Sequence, residues 1–323
     1  MIVTKTPYRV PLSGGGSDVD FYYKKFGSRF LSVAISEYVY VFLLERTLDD
    51  THMIQTAKVD LPKKINKIKN DLIRETIRYF GLKEKLHISI VSTVPTSTGL
   101  GTSSAIVVGL INCIKEFKNL KLNKYEIFKI AYNIERKICG FKGGWQDQIV
   151  SSFGGLIDVS ISKKESISVI KEKNTKNIKK IINEHAILVY SKKKRNSSAV
   201  IKSQMKNLKR TIKYYNEIKK INNKMVNSIY KMNIKEIGDL FNYHWNLKKK
   251  LSKKISNISL NKLFLKIQDI DGFLGGKLIG AGGGGFFLLI VKDKKKALNS
   301  IIKKKINFIS LKFENDGSKI LKV

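Results

Sequence analysis

Apolar and polar residues follow two different patterns along this chain, one typical of strands and one typical of helices. A continuous apolar run at 86–91 is typical of a buried strand, and apolar residues at helical spacing predict a helix at 103–118. The other predicted strands lie within 1–45 and at 156–159, 186–190, 285–291 and 307–313, and the other predicted helices at 72–80, 124–138, 294–303 and between 198 and 268. Strand and helix runs mixed in this way indicate an α+β fold.

The length of the chain predicts two domains, because 323 residues exceed what one hydrophobic core usually holds. The segment 161–184 is rich in Lys, Ser and Asn and is the most plausible boundary. We therefore expect an N-terminal domain at 1–175 and a C-terminal domain at 176–323.

Several absences favour a cytoplasmic protein that does not contact membranes. No apolar stretch reaches the ~20 residues of a membrane helix, and the first residues lack the apolar core of a signal peptide. Cys113 and Cys139 form no metal-binding pattern and are expected to be buried free thiols.

The formal net charge of +36 raises the alternative of a nucleic-acid-binding protein. Residues 161–323 carry 39 of the 62 Lys and Arg residues but 11 of the 26 Asp and Glu residues. Only eight of the 62 are Arg, whereas base readout and stacking favour Arg and exposed aromatic residues. We therefore expect lysines on solvated surfaces and no specific nucleic-acid partner.

The segment Pro95-Thr-Ser-Thr-Gly-Leu-Gly-Thr-Ser-Ser-Ala105 has the features of a phosphate-binding loop. It joins a predicted strand to a predicted helix, so free backbone N–H groups and the positive end of a helix dipole meet there. A P-loop would need a Lys where Thr102 follows Gly101, which argues against a P-loop NTPase. The alternative is an ordinary capped helix start.

Three further glycine-rich blocks accompany this loop. They are Pro7-Tyr-Arg-Val-Pro-Leu-Ser-Gly-Gly-Gly-Ser-Asp18, Gly143-Gly-Trp-Gln-Asp-Gln148 and Gly280-Ala-Gly-Gly-Gly-Gly285. The last also fits Gly-x-Gly-x-x-Gly, but an apolar strand rather than a helix follows it, so a dinucleotide fold is rejected. In this order the four blocks resemble the GHMP kinase superfamily, from Thr6 to about Val291.

The resemblance implies a two-domain GHMP kinase fold with the active site in the cleft between the domains, and ATP and Mg²⁺ as cofactors. It implies that these residues bind ATP: Pro95, Thr98, Gly99, Leu100, Gly101, Thr102, Ser103 and Ser104. For the acceptor it implies Gly14, Gly15, Gly16, Asp18, Gly144, Gly282 and Gly283. Asp18 would bind sugar hydroxyls, and the 280–285 loop would close over the phosphates.

Asp147 and Arg9 are the candidate catalytic pair. Phosphoryl transfer to a hydroxyl needs a group that accepts or orients its proton, and a carboxylate in a glycine-rich turn can reach into a cleft. The resemblance assigns this part to Asp147, and a guanidinium at Arg9 would orient it. The alternatives are a helix-capping Asp and a surface Arg.

Ser103 and Glu135 are the candidate magnesium ligands. Mg²⁺ takes oxygen ligands, usually one or two protein groups together with phosphates and waters. The superfamily register favours Ser103 over Ser104, and Glu135 could instead be a plain surface residue.

The finer resemblance is to D-glycero-D-manno-heptose 7-phosphate kinases, which act on the anomeric O1. The 7–18 and 143–148 blocks, Arg195-Asn-Ser-Ser198 and His244-Trp245 carry it. It implies a sugar phosphate substrate, a route to heptose for lipopolysaccharide or capsule, and a monomer or homodimer. A 7-phosphate needs a second cationic site, for which Arg195 with Lys192–Lys194 is the candidate. A kinase for an unphosphorylated hexose, of the fucose or galactose type, remains the alternative.

Overall fold

Two β-sheets covered by helices make up the computed structural model, which describes residues 1–193 and 197–321. The strands are β1 (Ile2–Ser13), β2 (Ser28–Glu45), β3 (Met53–Gln55), β4 (Val59–Asp60), β5 (Leu86–Ser92), β6 (Leu156–Ile161), β7 (Ile167–Lys171), β8 (Ala186–Tyr190), β9 (Phe273–Leu278), β10 (Phe286–Val291), β11 (Phe308–Ser310) and β12 (Lys319–Leu321). The helices are α1 (Asp20–Phe26), α2 (Asp71–Tyr79), α3 (Thr102–Phe117), α4 (Lys124–Tyr132), α5 (Gln146–Phe153), α6 (Lys176–His185), α7 (Ser197–Lys206), α8 (Leu208–Tyr230), α9 (Ile234–Lys249), α10 (Ile258–Gln268) and α11 (Lys294–Lys303). In addition, a short 3₁₀-helix spans Ile65–Lys67 and a short π-helix spans Asn133–Ile138.

The first sheet is organised around β2, which is 18 residues long. β2 pairs with β1 on one side, and on the other it pairs first with β6 and then with β5. The strand order is β12-β1-β2-β5-β3-β4, with β7 beyond β6. Strand β1 therefore lies between two antiparallel partners, β2 and β12.

Helix α3 packs directly on this sheet because its sequence is apolar on nearly every face. Residues from Ala105 to Ile114 are buried except at Ile106, as expected of a helix enclosed by other elements. A Cβ atom at Gly109 would lie 2.9 Å from Thr6 Oγ1, so only glycine allows this close approach to β1. The approach fixes where the N-terminus of α3 points.

The second sheet is antiparallel, with the strand order β11-β8-β10-β9, and all of β10 is buried. Helix α9 packs on β9 through two glycines. A Cβ atom at Gly275 would lie 1.9 Å from the carbonyl oxygen of Gly238, so the backbones of helix and strand are in contact. Side chains of α9 and β9 consequently line the same side of one cavity.

The structure confirms the strands at 86–91, 156–159, 186–190 and 285–291 and the helices at 103–118, at 294–303 and between 198 and 268. Strand β7 and most of α6 lie within 161–184, the segment predicted to contain the domain boundary. Ile178, Ile181 and Ile182 are buried at helical spacing, a signal that surrounding lysines obscured. The domain division at 175/176 stays a prediction. Strand β12, near the end of the described residues, pairs with β1.

Two further expectations concern membrane-spanning helices and the two cysteines. None of their helices is both long and apolar enough to cross a bilayer. Cys113 is a buried free thiol as predicted, whereas Cys139 is only partly buried. No cluster of potential metal ligands involves either thiol within residues 1–193 and 197–321.

Deletion of residues 314–323 should destabilise the sheet that carries the N-terminal strands. β1 would lose its edge partner, and Ser318, whose N–H donates to Ser151 O at 2.7 Å, would be removed. Loss of several hydrogen bonds should lower the Tm by at least about 5 °C, measured by thermal unfolding. As a control, Ile320→Ala removes a side chain that is 37% exposed and should change the Tm by less than about 2 °C. An unchanged Tm after the deletion would contradict this role for β12.

Candidate active site

A cavity of about 560 Å³ lies where the four glycine-rich blocks meet. Residues from all four blocks line it, namely Arg9, Gly15, Gly16, Asp18, Gly99, Gly101, Thr102, Ser103, Gly144, Asp147 and Gly280. Segments separated by more than 200 residues in the sequence therefore share one site.

Arg9 and Asp147 are in direct contact in this cavity. Arg9 lies on β1 and is 4% exposed. Its Nε donates to Asp147 Oδ1 at 2.6 Å, its Nη2 forms an ion pair with the same oxygen, and its Nη1 donates to Gly99 O at 2.8 Å. Trp145, not Asp147, is the N-cap of α5, so the carboxylate points to Arg9 instead of capping the helix. Both alternatives, the helix-capping Asp and the surface Arg, are wrong.

Arg136 is a second buried guanidinium that the sequence interpretation missed. Its Nη1 lies 3.1 Å from Glu135 Oε1 and its Nη2 lies 3.8 Å from Asp147 Oδ2. A Cβ atom at Gly143 would lie 2.3 Å from Arg136 Cζ, so this glycine provides the space for the guanidinium. The available signal was its position next to Glu135 in a chain with few arginines.

Glu135 is fully buried, so the alternative of a surface residue is wrong. Its two carboxylate oxygens accept hydrogen bonds from Ser103 Oγ and Ser104 Oγ, each at 2.5 Å, and from Gln148 Nε2 at 2.6 Å. Ser103 lines the cavity, whereas Ser104 is fully buried. The structure thus places Ser103 as the hydroxyl beside both Glu135 and the open space.

The phosphate loop ends where α3 begins. Gly101 adopts a left-handed conformation (φ 89°) and forms the N-cap without a side-chain hydrogen bond, so no side-chain cap occupies the first N–H groups of α3. Not every predicted ATP-binding residue lines the cavity. Thr98 and Leu100 are fully buried, and Thr98 Oγ1 donates to Pro95 O at 2.9 Å, so these residues shape the loop.

Asp18 connects the 14–16 turn to the start of α5. It is 5% exposed, and its Oδ2 accepts from the N–H of Gln146 at 3.0 Å. Burial raises the pKa of Asp18 above its ordinary value, although the hydrogen bond from Gln146 opposes this change. Gly15 and Gly16 line the cavity, but Gly14 faces β2, where a Cβ atom would lie 2.0 Å from Arg29 O.

The 280–285 loop contacts the phosphate loop as well as the cavity. A Cβ atom at Gly285 would lie 2.0 Å from Thr98 O. Gly282 and Gly283 face Ile255 instead, whose carbonyl accepts from the N–H of Gly283 at 2.8 Å. The predicted acceptor residue Arg195 lies outside the described residues, as does Lys194.

Three basic side chains that line the cavity were not predicted as a group: His244, Lys248 and Lys277. The neighbouring Trp245 is 1% exposed and packs against Phe287 with ring centroids 5.7 Å apart, so it belongs to the core. Of His244 and Trp245, which carry the finer resemblance, only His244 lines the cavity.

The comparison with known proteins agrees with this geometry. Residues 66–155 match the family model of the GHMP kinases N terminal domain. The chain thus contains a GHMP kinase N-terminal domain, and the fold and the enzyme class predicted from the sequence, a sugar kinase, are confirmed.

Individual relatives extend over most of the chain. It is 29% identical over 303 residues to a D-glycero-alpha-D-manno-heptose 7-phosphate kinase of Campylobacter jejuni, covering 87% of this chain and 86% of the relative. It is 28% identical over 300 residues to a mevalonate kinase of Methanocaldococcus jannaschii, covering 87% and 89%. The fold matches the crystal structure of a D-glycero-D-manno-heptose 1-phosphate kinase from Bacteroides thetaiotaomicron with a TM-score of 0.83 and 24% identity, covering 100% of this chain and 99% of that one.

The contact between Asp18 and Gly144 yields a prediction about stability. A Cβ atom at Gly144 would lie 2.1 Å from Asp18 Oδ2, so Gly144→Ala should force the 14–18 turn and α5 apart and cost about 1–3 kcal/mol. Thermal unfolding should show a lower Tm. The matched control is Gly15→Ala, because a Cβ atom there would meet Pro11 Cβ at an ordinary 3.5 Å and should leave the Tm nearly unchanged. Equal Tm values for the two variants would contradict the close packing at Gly144.

Proposed function

We propose that this chain transfers the γ-phosphoryl group of ATP to the anomeric O1 of D-glycero-D-manno-heptose 7-phosphate. The observation that carries the proposal is the ion pair between the buried Arg9 and the partly buried Asp147, which lies between the phosphate loop and the turn at 14–18. The Campylobacter jejuni relative, whose name gives this substrate, supports the choice of sugar.

Asp147 is the proposed base. Its carboxylate accepts the proton of the O1 hydroxyl as O1 attacks the γ-phosphorus, the bond to the bridging oxygen breaks, and ADP leaves. Arg9 fixes one carboxylate oxygen at 2.6 Å, and Arg136 lies 3.8 Å from the other. Both guanidiniums favour the negative charge on the transferred group, and the first N–H groups of α3 hold the phosphates of ATP.

Ser103 and Glu135 fit the requirements of Mg²⁺. Ser103 Oγ, which lines the cavity, and Oε1 of the fully buried Glu135 behind it are hard oxygen donors 2.5 Å apart. Mg²⁺ commonly takes one or two protein oxygens in addition to phosphates and waters. These two residues would hold the ion, which neutralises phosphate charge when bound.

The remaining parts of the proposal follow from the reaction. The product, a heptose bisphosphate with a new anomeric phosphate, suits a route to nucleotide-activated heptose for surface polysaccharide. We propose a cytoplasmic enzyme, monomeric or homodimeric, in which residues 1–175 bind ATP. Since the names of the heptose relatives differ in the position of the phosphate, the substrate needs a direct test.

Asp147→Asn should lower kcat at least about 10²-fold and leave the KM of ATP little changed, because the amide cannot accept the proton. The measurement is ATP consumption with Mg²⁺ and saturating acceptor, accompanied by the Tm of each variant. Asp49→Asn is the control, since this exposed carboxylate pairs only with Arg46 among its described partners and should leave kcat unchanged. A fully active Asp147→Asn enzyme would exclude Asp147 as the base.

A panel of acceptors should identify the substrate. We expect turnover with heptose 7-phosphate and none with mannose, fucose, galactose or mevalonate. Turnover of a free hexose would favour the hexose kinase alternative and retain the mechanism. No turnover with any acceptor, combined with nucleic-acid binding that weakens steeply with salt, would favour the nucleic-acid alternative.

A further inference from the structure

His244, Lys248 and Lys277, named here the cationic cluster, form one basic group on the wall of the cavity. His244 and Lys248 are four residues apart on α9 and therefore share a helical face, which meets Lys277 on β9. Their exposed fractions are only 3%, 7% and 1%. A lysine is rarely buried to the extent of Lys277 without a charged partner.

Backbone carbonyls accept hydrogen bonds from both lysines of the cluster. Lys277 Nζ donates to Leu12 O at 2.6 Å and lies 3.3 Å from His244 Nδ1. Lys248 Nζ donates to Leu278 O at 3.0 Å and to Gly280 O. The cluster thus bridges β1 of the first sheet and the glycine loop that follows β9.

The positive charge of Lys277 is not neutralised by a carboxylate of the described residues. Within residues 1–193 and 197–321, no carboxylate forms an ion pair with Lys277 or His244. Burial, and then the charge of Lys248, lowers the pKa of Lys277 well below its ordinary value, and the pKa of His244 is lowered by burial and by both lysines. An anion in the cavity would relieve both the desolvation and the mutual repulsion.

The cluster lies at the acceptor end of the cavity. Leu12, which binds Lys277, is three residues beyond Arg9 on β1, so the two ends are about 10 Å apart at the rise of a β-strand. Gly15 and Gly16 line the cavity beside this part of β1, whereas the N-terminus of α3 lies at the Arg9 end. The separation suits a sugar with its reacting hydroxyl at one end and a phosphate at the other.

We infer that the cationic cluster binds the phosphate monoester carried by the acceptor, an inference that rests on the proposed transfer at Asp147. A phosphate monoester carries between one and two negative charges near neutral pH, and lysine binds phosphate as a point charge. This site consists of described residues on α9 and β9, at other sequence positions than the basic segment 192–195.

Two charge-removing variants test the inference, Lys277→Met and Lys248→Met. The dissociation constants of heptose 7-phosphate and of the phosphate-free heptose are measured by calorimetry without ATP. Loss of one charge-assisted contact should weaken binding of the 7-phosphate roughly 10- to 100-fold and binding of the phosphate-free heptose less than about 3-fold. The KM of ATP should stay unchanged.

Lys294→Met is the matched control. Lys294 is also largely buried and donates to the carbonyls of Ile182, Asn183 and Leu311, and burial lowers its pKa to about 8, but it does not line the cavity. This variant should lower the Tm and leave both sugar affinities unchanged. It separates the loss of any buried lysine from the loss of one at the cavity.

The outcomes distinguish this inference from the proposed reaction. Equal weakening of both sugars, or a higher KM for ATP without an effect on the 7-phosphate, would overturn the inference and leave the kinase reaction intact. No detectable binding of heptose 7-phosphate or of mannose 6-phosphate to the unmodified protein would overturn it as well. Lysine-dependent binding of either sugar phosphate without turnover would support the inference while the proposed reaction fails.

Discussion

The buried guanidinium of Arg9 is the interaction on which the site depends. It joins three parts of the chain that are distant in sequence: strand β1, the carbonyl of Gly99 in the phosphate loop, and the carboxylate of Asp147 at the start of α5. A buried cation needs a partner, so the position of Asp147 is coupled to the position of β1. Because α3 packs on β1 through Gly109, the same strand also sets the N-terminus of that helix. The reactive groups thus share one rigid support.

The two halves contribute different chemistry to one cavity. The first sheet and its helices supply the phosphate loop and the carboxylates of Asp18 and Asp147, together with the guanidiniums of Arg9 and Arg136, whereas α9 and β9 supply the cationic cluster. Contact between the sheets is made by Lys277, which donates to Leu12 O, and by the glycine loop against Thr98. Neither half contains all the groups that the proposed reaction requires, and a phosphorylated acceptor would balance the charge of the cationic cluster.

The sequence predicted the convergence of the glycine-rich blocks and the contact between Arg9 and Asp147. Short motifs that impose a particular backbone conformation can be recognised even in a sequence as rich in lysine as this one. It did not predict β9, since two glycines interrupt its apolar pattern, or β12, whose pairing with β1 is a long-range contact that no local pattern contains. Lys277 could not be recognised among 62 Lys and Arg residues, because burial and not residue type distinguishes it. Arg136 was easier to recognise, since it is one of only eight arginines and lies next to Glu135.

The pairing of β12 with β1 has a consequence for how the protein is made. β1 leaves the ribosome long before β12, yet Thr4 in it pairs with Ile320, so this edge cannot be covered until residue 320 has been synthesised. During translation this edge presents unpaired N–H and C=O groups on which other chains could assemble. Pairing in the first sheet is therefore completed only once β12 has been synthesised, and a nascent chain that stops before β12 would leave Arg9 on a strand with an open side.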